Sequence, residues 1–558
     1  MLARGWDPAG AARPAKMDPM EPFDLLITGG TIVDGSGDPG FRGDVGIRDG
    51  RLEIVRGDPA NQGPPGEIAR AGRTIDATGR IVAPGFIDLH SHSGLTILSE
   101  PLHEPKVRQG VTTEVIGVDG NAYAPFVDPD DLAAFIELNA GLDGHPPSGG
   151  ATWDTVTSYL ARFDGQVSVN IAFLVGNAPL RIATVGWDEV AADDSALARM
   201  RSMLREGMEE GAFGISSGLD YPPGSYASTA ELTGLAAEAG RLGGIYHTHV
   251  RYPLGDRFLD PFLEAIEIGR RGQAPSHITH FYHRATFPGT PDQMLALVDD
   301  ARAEGLDVTF DAYPYEWAST RLLITIPPWV QAGGPGPTKE RLADPAVRAR
   351  IRGELEARGV LFAGAGGIAD IRLGYFGRPD HARWEGWTLG EVGRDTGEDL
   401  VELLCDLLLS EDLRLNQVTP GPNTDGIRRF YQHPVAMIGT DSTFVGAKPS
   451  PRTYGSFPRI LGQFVRDEGI LGLEEAVAKM TSMPAARLGL RDRGRLADGH
   501  VADVVVFDPT RVRSLATYDE PRQFPIGIDD VLVAGVPVVA NGSHTGATPG
   551  RSLRRGRD

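Results

Sequence analysis

Two histidines stand two residues apart at the end of an apolar run, in "PGFIDLHSH". Residues i and i+2 of a strand point the same way, so the imidazoles of His90 and His92 can reach one point. Imidazole is a ligand for Zn²⁺ and related metals. A second pair, His247 and His249, closes "IYHTHVR", and His277, His280 and His283 follow in "SHITHFYH". His249 lies nearer its strand end and is the better ligand candidate; His247 is expected to pack lower or to hydrogen-bond behind the ligands. His277 and His280 differ by three, so an ideal strand points them to opposite faces, and the more C-terminal His280 is favoured. His283 falls in the following loop. Two carboxylates complete the set: Asp119 ends "TTEVIGVDG" and Asp441 ends "AMIGTDS". Read alone, Asp119 is also an ordinary turn residue before Gly120, and Asp441 an ordinary helix N-cap. Together these residues predict a metal centre. Metal coordination lowers the pKa of a bound water to about 7, and Asp441 can take that water's proton and pass it to a leaving group.

The elements that carry these residues are spaced to bring them together. Apolar runs at 81–92, 111–120, 167–176, 211–219, 243–250, 275–282, 306–315 and 434–442 alternate with helical patterns. Near-continuous apolar strands of this kind are parallel strands buried on both faces, and eight of them predict an α/β fold of the (β/α)₈ type, a TIM-like barrel. The candidate ligands then fall at the C-terminal strand ends, where such barrels carry their chemistry. Ser228 with Glu231 predicts a capping box, and Thr290 caps a helix with Pro291 at its first position. The long gap between the last two strands predicts an insertion after strand seven, about residues 316–387, as a candidate substrate lid. Short strands broken by Gly/Asp turns at both ends, in "FDLLITGGTIVDGSG" and "HVADVVVFDP", read either as a C-terminal β-domain alone or as one small β-sandwich built from both chain ends. Its halves are 23–80 and 486–548, on either side of a barrel over 81–485. Residues 1–22 read as a disordered tail and 549–558 as a short basic one.

The bulk numbers narrow the partners. Over 558 residues, 54 Lys+Arg against 75 Asp+Glu give a net charge of −21. Such a surface repels phosphate backbones and anionic lipid, which argues against nucleic-acid and membrane partners and leaves a small molecule. No apolar run approaches the roughly eighteen residues of a membrane helix, and residues 1–20 lack the apolar core of a secretory signal. The single cysteine, Cys405, excludes an intrachain disulfide and reads as a small core hydrophobe. A cytoplasmic location is the expectation, with homo-oligomerisation left open. His103, His145, His381, His433, His500 and His544 fall at helix or loop positions and receive no role.

In this order, "PGFIDLHSH", "THVR", "HITH" and "GTDS" resemble the amidohydrolase superfamily of metal-dependent hydrolases. "GISSGLDYPPGSYAS", "DAYPYEWAST", "PRTYGSFPRILGQFVR" and "SHTGATPGR" are similar to stretches of the N-acyl-D-amino-acid deacylase (D-aminoacylase) family, over about residues 23–553. The resemblance implies a centre of one or two divalent ions, zinc above all, on His90, His92, Asp119, His249, His280 and Asp441. It implies that Tyr221 polarises the scissile carbonyl, and that Tyr313, Ser319 and Arg452 hold the substrate's α-carboxylate, Arg452 through a bidentate fork.

Three departures stand against the family pattern. A metal-binding cysteine in Gly-Asn-Cys-Gly is replaced in Gly117-Val118-Asp119-Gly120, so a hard carboxylate stands for a soft thiolate. A carboxylate can still bridge two ions, with a tilt away from the softest metals. The family's His-His-Lys becomes His280-Phe281-Tyr282, so Tyr282 stands where a lysine helps hold substrate, and its Gly-His-Gly becomes Gly176-Asn177-Ala178. The implied activity is hydrolysis of the amide of an N-acyl amino acid, with D-configuration implied by resemblance alone. Two alternatives stay open. Hydrolysis of another linear or cyclic amide, such as a hydantoin or a dipeptide, is favoured by the lost lysine and opposed by Arg452. A non-catalytic binding protein on the same barrel is opposed by candidate ligands at five strand ends.

Overall fold

The computed structural model describes residues 22–56, 71–148, 150–252, 257–284, 288–358, 366–421 and 424–558. The tail expected at the N-terminus lies outside them, apart from residue 22. The site-bearing part is built from short parallel strands: β1 (Phe86–Asp88), β2 (Val111–Ile116), β3 (Asn170–Phe173, continued by Val175–Gly176), β4 (Gly214–Gly218), β5 (Ile245–His249), β6 (Ser276–Ile278), β7 (Val308–Ala312) and β8 (Ala436–Ile438). β1, β2 and β3 form one parallel sheet. The continuation Val175–Gly176 starts a second, which runs through β4, β5, β6 and β7 to β8. Past β1 and β8 the chains meet again: Ser91 and Ser442 form a parallel bridge, and Asp441 N donates to His90 O at 2.9 Å. All eight strands are buried along their length, which is why they read as apolar runs and not as alternating patterns.

Helices Thr229–Arg241, Asp260–Gly272 and Pro291–Ala303 connect β4 through β7 in succession. The last starts as expected, with Thr290 as cap and Pro291 in the first turn, and it carries a capping box with Gln293. The box expected at Ser228 is only half formed. Ser228 Oγ accepts from Glu231 N at 3.2 Å, but the Glu231 carboxylate turns to the buried Arg181 guanidinium at 2.5 Å, a stronger partner than a backbone N–H.

Strands from both ends of the chain share one nine-stranded sheet. Ile81–Pro84 pairs in parallel with Phe23–Ile32 and antiparallel with Val504–Phe507. The run read as one strand over 81–92 is therefore divided. Its first half belongs to this terminal sheet and its second half is β1. The break is Gly85, whose N–H donates to Asp503 O at 2.9 Å and where a Cβ would fall 2.2 Å from Thr112 Oγ1.

Two further expectations change. Residues 549–558 are not a loose tail: Gly550 and Ser552 bridge to Val167 and Ile171, and Leu553 is buried. Four arginines made the segment look solvated, but its backbone completes the edge of β3. The insertion also runs past 387. Trp317–Arg321, Asn416–Pro420 and Arg372–Tyr375 form an antiparallel sheet with Asn416–Pro420 in the middle, so the unit closes only there. Helices of this region, Leu400–Ser410 among them, bury a leucine-rich core that includes Cys405. Among the described residues no helix is long and apolar enough to cross a membrane.

Candidate metal centre

The C-terminal ends of β1, β2, β5, β6 and β8 bring six side chains to one buried place. Asp119 Oδ2 is its middle. It lies 3.3 Å from His90 Nε2, 3.5 Å from His92 Nε2, 3.4 Å from His249 Nδ1 and 3.6 Å from His280 Nε2. Asp441 Oδ1 joins at 3.5 Å from His90 Nε2 and 3.2 Å from His92 Nε2. The donors form two overlapping groups, His90–His92–Asp119–Asp441 and Asp119–His249–His280, with Asp119 common to both. These separations are long for N–H···O bonds. They suit the edges of a tetrahedron with arms of about 2.1 Å, which are about 3.4 Å. Among the described residues, both ring nitrogens of His90 are buried without a hydrogen-bond partner. A core histidine avoids that state; a ligand does not need to. The donor set fits a divalent cation.

Strand spacing alone does not aim these groups. Asp119, His280 and Asp441 have left-handed φ angles of 52°, 33° and 49°. Each such residue costs on the order of 1–3 kcal/mol, and such residues gather at functional sites. The turn at His280 overturns the expectation that His277 and His280 face opposite ways. β6 ends at Ile278, so alternation stops before His280. Both rings point inward: His280 to Asp119, and His277, one layer below, to Asp311 Oδ2 at 3.0 Å. Space beside Asp119 comes from β4, where a Cβ on Gly218 would fall 1.9 Å from Asp119 O.

A second layer holds the rings from behind, as metal-ligating histidines require. His92 Nδ1 lies 2.8 Å from Asp143, His249 Nε2 2.9 Å from Asp220, and His280 Nδ1 3.0 Å from the Tyr252 hydroxyl. His90 Nδ1 faces Asp311 Oδ2 at 3.6 Å. His247 packs lower, as expected: it donates to Leu89 O at 3.2 Å and stacks on His277. Spacing gave no hint of Asp143, Asp220 or Tyr252. Asp311 did carry a signal, a charge inside the apolar "VTFDAY". His103 and His283 stay outside the cluster; His103 pairs with buried Glu114 at 2.9 Å.

Burial opposes a charge on every one of these rings, and the carboxylates outweigh it at three of them. His90 is raised to about 10 by Asp119 and Asp441, and His249 to about 9 by Asp119 and Asp220. His92 rises well above its ordinary value, chiefly through Asp143. Burial and the His249 charge instead lower His280. Burial would push Asp441 up, but Arg452 and His90 hold it at about 2. Two ionised carboxylates in a dry site draw protons onto imidazoles, and a divalent cation answers the same field.

The residues implied for substrate flank this cluster. Arg452 is fully buried, with Nη1 2.7 Å from Asp441 Oδ2 and Nη2 donating to Ser319 O at 2.8 Å. Its guanidinium lies over the Tyr313 ring at 4.5 Å. Among the described residues, Arg452 Nε and the Tyr313 hydroxyl lack hydrogen-bond partners, so two neighbouring buried donors have no acceptor. The Ser319 hydroxyl is engaged by Asn416 and Thr443; it is the Ser319 carbonyl that meets Arg452. The Tyr282 hydroxyl accepts from Arg284 at 3.0 Å, so a cation stands two residues from the lost lysine position. The Tyr221 ring lies 4.8 Å from His249, and burial keeps its phenol protonated. Asp220 and Tyr252, the partners of His249 and His280, line a largely apolar cavity of about 590 Å³ together with Ile324 and Pro327 of the insertion.

Known proteins share this architecture. A model of the Amidohydrolase family matches residues 73–313 and 368–539. The chain is 37% identical over 543 residues to the N-acyl-D-glutamate deacylase of Alcaligenes xylosoxydans xylosoxydans, covering 96% of this chain and 97% of that protein. It is 34% identical over 541 residues to the D-aminoacylase of the same organism, with 96% and 98% covered. It also matches the crystal structure of N-acyl-D-glutamate deacylase from Bordetella bronchiseptica, complexed with zinc and a phosphonate mimic of the tetrahedral intermediate. There the TM-score is 0.77 and the identity 33%, over 96% of this chain and 100% of that one. On the breadth of the family match and the full-length relatives, the chain belongs to the amidohydrolase family.

Proposed function

We propose that this protein is a metal-dependent hydrolase that cleaves the amide bond of N-acyl amino acids, N-acyl-D-amino acids in particular, to a carboxylate and a free amino acid. The observation that carries this reading is the Asp119-centred cluster of histidine and carboxylate donors, in a chain whose full-length relatives are N-acyl-D-amino-acid deacylases. We read β1 to β8 as one closed (β/α)₈ barrel, on the strength of the Ser91–Ser442 bridge. The terminal sheet is then the small β-sandwich, and the insertion covers the barrel mouth.

In this reading His90, His92, Asp119, His249, His280 and Asp441 hold one or two divalent ions, zinc foremost. The bound metal supplies a water of lowered pKa and polarises the substrate carbonyl. Asp441 takes the water's proton and returns it to the leaving nitrogen. The Tyr221 phenol donates to the developing oxyanion. Arg452 Nε and the Tyr313 hydroxyl, both without acceptors among the described residues, donate to the α-carboxylate, with Ser319 fixing Arg452 and Tyr282 relaying the charge of Arg284. A substrate carboxylate competes with Asp441 for the Arg452 guanidinium, which frees Asp441 Oδ2 for the proton. The apolar cavity takes the acyl group or side chain.

Turnover of N-acetyl-D-amino acids, their L-isomers, their carboxamides and hydantoins by the zinc-loaded enzyme tests this. The expected result is kcat/KM at least about 100-fold higher for the D-acids than for the carboxamides, the size of effect a site loses when its buried donors go unpaired. Equal rates with and without the carboxylate overturn the reading.

A further inference from the structure

Lys106 sits in "EPKVRQG" on the short helix Glu104–Val107 and is completely buried. Its ammonium bonds the Asp88 carboxylate, Thr440 Oγ1 at 2.6 Å and Ser442 Oγ at 2.6 Å, with Glu114 3.8 Å away. Thr440 and Ser442 are the two residues on either side of Asp441. Asp88, for its part, accepts from Thr440 N at 2.9 Å and from His90 N at 3.1 Å. One buried ion pair thus grips both neighbours of Asp441 and the backbone of His90.

Closing the seam between β1 and β8 does not call for this. The backbone already bridges there at Ser91–Ser442, and Asp441 N already donates to His90 O. A buried ammonium is costly unless it is paired, and apolar side chains of the same volume serve a seam as well or better. What the ion pair adds is aim. Asp441 holds a left-handed φ of 49°, a costly conformation that persists where its surroundings hold it. Here its two flanking hydroxyls are tied to one cation.

We infer that Lys106, paired with Asp88, is a positioning residue: through Thr440 and Ser442 it fixes the strained turn that points the Asp441 carboxylate at the metal cluster. It touches neither substrate nor the candidate metal donors. The inference rests on the reading of Asp441 as ligand and proton acceptor.

The test uses two variants of the full chain. Thr440→Val with Ser442→Ala removes both arms and keeps the ion pair. Lys106→Met with Asp88→Asn removes both charges at nearly constant volume. Each is loaded with Co²⁺ and its visible absorption spectrum recorded, Zn²⁺ affinity is measured by competition with a chelating dye, and kcat, KM and Tm are measured. The expected result for the hydroxyl variant is a changed Co²⁺ spectrum and Zn²⁺ affinity lower by about 10–100-fold, the loss typical of groups that orient metal ligands. Its kcat should fall over the same range with KM within about threefold, and Tm should stay within a few degrees. Unchanged Co²⁺ spectra and Zn²⁺ affinities in both variants, whatever happens to Tm, overturn the inference and leave Lys106 a structural pin. If the wild type hydrolyses no N-acyl amino acid, the proposed function falls, while the spectra and affinities still decide the role of Lys106.

Discussion

On one side of Gly85, Ile81–Pro84 lies in the terminal sheet, whose interior is Leu25, Ile27, Val45, Val504, Val506 and Leu532. On the other side, Phe86–Asp88 opens into a layer where His90, His92, Asp119, His249, His280 and Asp441 are buried together. The first region has apolar side chains at ordinary backbone angles and gains stability from every buried methylene. The second buries carboxylates and imidazoles, three of them (Asp119, His280 and Asp441) on left-handed backbone, and its stability depends on each charge finding a partner. Packing secures the terminal sheet, while the site layer holds groups in positions they would not choose for themselves. The two regions should therefore answer mutation differently, although one short stretch of chain joins them.

The largest effect is expected at Asp441. Asp441→Asn should lower kcat by roughly 10³–10⁴-fold, the upper part of the range for general acid–base groups, in a protein that still folds but with a lower Tm, because the buried Arg452 guanidinium loses its carboxylate partner. Near-wild-type turnover would remove Asp441 from the chemistry. Next is the terminal sheet: Leu532→Ala should cost about 2–5 kcal/mol of stability, read as a drop in Tm or denaturant midpoint, with kcat per folded molecule unchanged. A matching fall in kcat would mean that the two regions do not separate.

Glu114 sharpens the contrast through pH. Burial would raise its carboxyl, but His103 and Lys106 bring it to about 2 from an ordinary 4.5. The folded value lies below the unfolded one, so this stabilisation is complete above about pH 4.5 and is lost as pH falls towards 2. Its size is on the order of 3 kcal/mol. Glu114→Gln should lower Tm at pH 6 and flatten its decline between pH 4.5 and 2; parallel curves for variant and wild type would count against the pairing. The smallest effect is expected at Arg452. Arg452→Lys keeps the charge and loses the fork. It should raise KM for N-acyl amino acids roughly tenfold while leaving carboxamide analogues alone, and a uniform change across both classes would refute carboxylate recognition by this residue.

The terminal sheet and the site layer also differed in how far the sequence could be read. Ligand candidates at strand ends show as local spacing, and the six singled out on that basis and by resemblance do converge around Asp119. Their supports do not show, because the contacts join residues far apart. Lys106 and Thr440 are 334 positions apart in the chain, and nothing near either announces the other. His277 and His280 face the same way because strand alternation stops at His280, whose φ is positive, and spacing does not show that. In the terminal region, the pairing of both chain ends was legible as matching short strands. The docking of Gly550–Leu553 was hidden by four arginines, since side-chain charge says nothing about what a backbone pairs with. The extent of the insertion is hidden for a related reason: Asn416–Pro420 pairs with Trp317–Arg321 and Arg372–Tyr375, both distant in the chain.

The division of the chain at Gly85 bears on how the molecule is made. A nascent chain delivers β1, with His90 and His92 just after it, early in synthesis. The strand that pairs with Ile81–Pro84, Val504–Phe507, and the segment that borders β3, Gly550–Leu553, follow only after the other metal-binding candidates have emerged. Every candidate donor has thus been synthesised before the sheet that braces the first of them can close.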